Sequence, residues 1–119
     1  MTTESTESTE TTVQLVQRQL EAYNRRDLDA FMACYARDVR VEDLDGALRL
    51  DGHDAVASHY RALFADNPGL RASLLDRISV GAYVIDEELV DGRADRRTLH
   101  VAVIYRVVDG LIASVRLLR

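Results

Sequence analysis

From Leu70 to its end the chain reads as strands interrupted at Gly81, Asp91-Gly92 and Asp109-Gly110, and that stretch constrains the fold most. Two of the three breaks are Asp-Gly pairs, whose tolerance of positive φ suits them to tight hairpins. The strands expected there cover 70–80, 82–90, 97–108 and 111–119. Upstream the apolar period is helical instead. Val13, Val16, Leu20 and Tyr23 form one stripe, opened by the capping-box spacing of Thr11-Thr12-Val13-Gln14 and closed by Arg25-Arg26. Asp27 is placed to cap a second, short helix carrying Leu28, Phe31, Cys34 and Tyr35. After Arg37-Asp38 the period becomes two, and 47–50 reads as a short returning strand. A third helix carries Val56, His59/Tyr60, Leu63 and Phe64, and Asn67-Pro68-Gly69 ends it. Three helices and a long antiparallel meander define an α+β layer with the helices covering one sheet face.

A chain of 119 residues fits one domain and lies near the lower limit for comfortable stability alone, so a homodimer is expected. Residues 1–11 repeat Thr, Glu and Ser with nothing to bury and read as a solvated tail, leaving 12–119 as the domain. Of the 20 acidic residues, Glu4, Glu7 and Glu10 belong to that tail, so the remainder is close to balance with the 15 basic ones. There is no basic stripe for nucleic acid. Every basic residue is arginine, which excludes Schiff-base chemistry from a lysine. The single cysteine, Cys34, reads as a small buried residue and suits a reducing cytoplasm. No apolar run approaches the ~20 residues of a membrane span. His53 and His59, six apart, cannot chelate one ion from a helix, and there is no Gly-rich phosphate loop or G-x-S-x-G elbow. No metal or cofactor is expected.

One position breaks the apolar pattern. In Val39-Arg40-Val41-Glu42-Asp43 the valines and Asp43 share a strand face, so Asp43 stands where a third apolar residue is expected. Buried there, a carboxylate becomes more basic. The alternative is a strand-end aspartate serving the turn Asp43-Leu44-Asp45-Gly46. In the strand after Gly81, Asp86 and Glu88 share a face with Val84 and Val90, while Arg106 and Arg116 lie on the last two strands. Such charges commonly form cross-strand pairs on a solvent or dimer face.

Arg26-Asp27-Leu28-Asp29-Ala30, the run Tyr35–Asp43, Asp51-Gly52, His59-Tyr60-Arg61 and the C-terminal Tyr105–Ile112 together resemble ketosteroid isomerase and its SnoaL-like relatives in the nuclear transport factor 2-like superfamily. The resemblance implies a cone: three N-terminal helices packed on the concave face of a curved antiparallel sheet, in a dimer. It aligns Asp43 with the isomerase's proton-shuttling carboxylate and Tyr35 and Tyr60 with pocket tyrosines. Gln19 stands at the oxyanion-binding tyrosine and Val103 at the protonated aspartic acid. Loss of one oxyanion donor typically costs about 10² to 10³ in rate. Efficient steroid isomerisation is therefore not expected. The leading expectation is a protein that binds an apolar carbonyl compound, with Asp43 as general base and Gln19 and Tyr60 holding the oxyanion, for isomerisation or cyclisation. The pocket would be formed by Tyr35, His59, Val39, Val41, Phe64, Val101, Val103, Val115 and Leu117. The rival expectation is a non-catalytic binding or dimerisation module. A water-activating Asp–Arg–Asp cluster of the epoxide-hydrolase kind would instead draw on Asp86 and Glu88.

Overall fold

The computed structural model describes residues 10–119; the rest of the expected tail, residues 1–9, lies outside the described residues. Helix α1 (Thr12–Arg25) starts at the predicted capping box, with Thr11 Oγ1 accepting from the Gln14 amide and the Gln14 side chain accepting from the Thr11 amide. Two residues assigned to the tail thus belong to the fold: Thr11 is this cap, and Glu10 pairs with Arg18 at 2.8 Å. Helix α2 (Leu28–Met32) is capped by Asp27 as expected but stops early. Cys34 and Tyr35 leave it because the chain is captured by the sheet: the Ile112 amide donates to the Cys34 carbonyl, and Tyr35 aligns with Ile112. Cys34 itself is fully buried.

Strands β1 (Tyr35–Asp43) and β2 (Leu48–Asp51) precede α3 (His53–Asp66). The other strands are β3 (Arg71–Val80), β4 (Tyr83–Asp91), β5 (Leu99–Val108) and β6 (Leu111–Leu118). They form one curved six-stranded sheet in the order β2-β1-β6-β5-β4-β3. One expectation changes. The sheet is mixed, because β1 pairs with β6 in parallel, whereas every other neighbouring pair is antiparallel. The third helix follows β1 and β2, as the sequence order of the apolar periods indicates.

Amphipathicity explains the layering. Along β4, Val84, Asp86, Glu88 and Val90 are buried and the residues between them less so, so one sheet face turns inward. Helix α1 covers β3 and β4, and α3 covers β1 and β2. Between the helices an aromatic cluster fills the core, with Phe31 centred 4.7 Å from Tyr60, 4.9 Å from Tyr35 and 5.7 Å from Phe64. Asn24 locks α1 to β3 by donating to the Ala72 carbonyl and accepting from the Ala72 amide. At the far end of β4, Gly92 adopts φ 71° and passes so near Gly69 that an added Cβ would lie 1.8 Å from the Gly69 oxygen. The next residue, Arg93, enters the rim of the site described below. Among the described residues no helix is long and apolar enough to cross a membrane.

Candidate functional site

Between the helices and the inward sheet face lies a cavity of about 490 Å³, within the range of small-molecule sites. Of the residues expected in a site, Gln19, Tyr35, Val41, His59, Tyr60, Val101, Val103, Val115 and Leu117 line it. Three others do not. Val39 is fully buried in solid core, and Phe64 packs edge-on against Tyr23 at 5.5 Å in the aromatic cluster. Asp43 is the third. Asp43 is the last residue of β1, still in step with Leu117 of β6, while the pairing with β2 shifts register between Val41 and Glu42. The Asp43 carbonyl accepts from the Gly46 amide, and its carboxylate holds Arg49 at 2.8 Å beside an open surface groove.

The cavity has a carboxylate all the same. Glu88 projects from β4 into it, 5% exposed, and its Oε2 has no hydrogen-bond partner among the described residues. Burial raises its pKa to about 7; the neighbouring Asp86 charge adds to the rise and Arg77 opposes it. Asp86 is fully buried and paired bidentately with Arg77, Nε to Oδ1 at 2.6 Å and Nη2 to Oδ2 at 2.9 Å. Arg77 Nη1 also donates to Gln17 Oε1 on α1 at 2.9 Å. Two neighbouring carboxyls on one face thus meet opposite environments: one saturated by a guanidinium, the other left open to a ligand. Arg106 and Arg116, weighed as partners for this pair, are exposed, and Arg116 bonds Glu42 instead.

Tyrosines surround Glu88. The Tyr35 hydroxyl donates to Gln19 Oε1 at 2.9 Å, and Gln19 Nε2 donates to the Val16 carbonyl at 3.1 Å. Gln19 is therefore a buried, committed member of the wall and not a solvated side chain. The Tyr60 and Tyr105 hydroxyls have no side-chain partner among the described hydrogen bonds, and burial pushes both pKa values up, that of Tyr60 to about 12. They remain protonated donors at neutral pH. His59, exposed at the edge, has a lowered pKa from partial burial and from Arg119. Among the described residues no group of three His, Cys, Asp or Glu could hold a metal ion.

The order of elements and the helix-capped curved sheet define the nuclear transport factor 2-like fold. The model of the SnoaL-like domain matches residues 16–115, and the chain belongs to that family. An uncharacterised protein of cystatin fold from Novosphingobium aromaticivorans superposes with TM-score 0.86 at 22% identity, over 93% of this chain and 100% of its own. A proposed polyketide cyclase from Sinorhizobium meliloti gives 0.76 at 22% identity, over 92% and 100%. A proposed ketosteroid isomerase from Kribbella flavida gives 0.75 at 23%, over 89% and 75%. At these identities the likeness establishes the fold. No curated protein matches the chain.

Proposed function

We propose that the cavity binds an apolar carbonyl compound and that Glu88 acts as the general base for enolisation, leading to isomerisation or cyclisation. The observation that carries this is the unpartnered Glu88 Oε2 buried in the cavity wall. A base is most effective when its pKa lies near working pH, and burial puts Glu88 there. Glu88 takes the proton from the carbon next to the carbonyl, the C–H pair becomes the new C=C bond, and the carbonyl π pair moves onto oxygen. Tyr60 or Tyr105 donates to that oxygen. In a β,γ-unsaturated ketone the enol is a dienol, and return of the proton to its γ-carbon, with the double bond shifting to α,β as C=O re-forms, completes an isomerisation; attack of the enol α-carbon on an internal electrophile completes a cyclisation. Asp43 takes the lesser role of anchoring Arg49. The relatives named as a polyketide cyclase and a ketosteroid isomerase support the reaction class.

The test is deuterium exchange at the α-carbon of 2-tetralone, an apolar enolisable ketone, followed by NMR. The protein should accelerate exchange, with a rate rising through pH about 7 as Glu88 ionises. Glu88→Gln should lose about 10²-fold or more, whereas Asp43→Asn should stay within roughly threefold. An undiminished rate in Glu88→Gln refutes the assignment. One observation favours the rival reading as a binding module: Gln19, at the family's oxyanion-donor position, already donates to the Val16 carbonyl and accepts from Tyr35. Ketone binding without exchange would establish that reading.

A homodimer belongs to the same proposal. On the outer sheet face the register aligns Ile78, Ile85 and Ile104 in one row across β3, β4 and β5, with Ile78 54% exposed and Val80 and Tyr83 nearby. Such an apolar patch on a small domain suits self-association. Light scattering should give twice the chain mass for the parent and the single chain mass for Ile104→Glu.

A further inference from the structure

The cavity wall is polarised in a way that the enolisation chemistry does not use. Its closed end carries Gln19, Tyr35, Glu88, Val103 and Tyr105, all buried. Its open side carries Arg49 and Arg119, both exposed, and the half-buried Arg93. The three arginines come from separate places: β2, the β4–β5 connection and the last position of the sequence. Among the described residues, Glu88 is the single acidic side chain in the lining. A chain with a net charge of −5 therefore presents a cavity whose charged wall residues are three arginines and one buried acid.

We propose that the ligand is an apolar molecule bearing one carboxylate, held with its acid group at the arginine-lined mouth and its apolar body directed toward Glu88. This rests on the reading of the cavity as the small-molecule site. Arginine suits the task because its planar fork matches a carboxylate with two parallel hydrogen bonds. Asp43 and Asp95 do not consume that capacity. Asp43 holds Nε and Nη2 of Arg49, and Asp95 holds Nε and Nη2 of Arg93, yet neither aspartate lines the cavity, which leaves the Nη1 edge of each guanidinium. With five N–H donors on each guanidinium, both arginines keep donors for a ligand. The aspartates hold the guanidinium groups in place at the rim. The same layout disfavours a ligand with a cationic head, which would meet guanidinium groups at the rim and, among the described residues, no acidic lining side chain there.

Calorimetric titration of the full chain with 2-naphthoate, methyl 2-naphthoate and naphthalene at pH 6 tests the proposal. At that pH the free acid is ionised and Glu88 is mostly protonated, so the deep carboxyl does not repel the anion. The acid should bind about tenfold more tightly than its ester, as a charge-assisted pair at a partly solvated rim predicts. Arg93→Gln and Arg49→Gln should each shrink that preference to threefold or less. An ester that binds as well as the acid overturns this proposal and leaves the cavity reading standing. Failure of all three compounds to bind overturns both.

Discussion

Arg77→Met is expected to destabilise the protein by about 3 to 5 kcal/mol, the cost of leaving one member of a buried ion pair without its partner. Asp86 is fully enclosed, and both its oxygens are taken by Arg77, whose own side chain is 14% exposed. Removing the guanidinium leaves a desolvated carboxylate beside the Glu88 carboxyl. Protonation is the route of relief, so the loss should be largest above neutral pH and smaller in acid. Arg77→Met combined with Asp86→Leu should recover most of the stability, because an apolar pair of similar volume avoids the desolvation of both charges. The strong coupling between the two positions would appear in a double-mutant cycle read by urea unfolding. A single-variant cost below about 1 kcal/mol, the range of a solvated surface pair, would remove this ion pair from the core.

That pair also marks how far the residue pattern carries. Period-two alternation puts Asp86 and Glu88 on one face with Val84 and Val90, but the expectation of a solvent or dimer face for these charges is overturned, since both are buried. Which acid is quenched and which stays open depends on strand register. Arg77 stands directly opposite Asp86 across β3 and β4, beyond a register shift between Leu74 and Asp76 that local spacing does not reveal. The same limit governs Asp43. Its alternation with Val39 and Val41 is genuine, but Asp43 is the last residue of β1, and Arg49 from the returning strand takes the carboxylate. Caps, by contrast, are local chemistry. Thr11 with Gln14, and Asp27 with the Ala30 amide, were legible because each bond closes within three residues. The parallel β1–β6 pairing joins residues more than 70 positions apart and leaves no local trace. Arg93 at the cavity rim lies in a connection whose path is set by the Gly69–Gly92 close approach.

Glu88 gives the second large effect, one of pH. Its folded pKa of about 7 lies above the ordinary carboxylate value of 4.5, so folding favours the protonated acid. Below pH 4.5 the group is neutral in both states and costs nothing through ionisation. Between 4.5 and 7 the unfolded chain has already released the proton while the folded chain retains it, and stability falls as pH rises. Above 7 the loss is complete, on the order of 3 kcal/mol by the usual 1.36 kcal/mol per pKa unit. His59 acts in the opposite direction: its lowered pKa makes stability fall as pH drops below its unfolded value of 6.5. Comparison with Glu88→Gln cancels that contribution, since both proteins carry the histidine. The variant should therefore gain on the parent by on the order of 3 kcal/mol between pH 4.5 and pH 8, measured as the difference in urea-unfolding free energy. A difference that stays flat across this interval would mean that residue 88 ionises in the folded chain as it does in water, and the base assignment would fall with it. A gain of the expected size would show a site that sacrifices stability at neutral pH to keep one carboxyl basic.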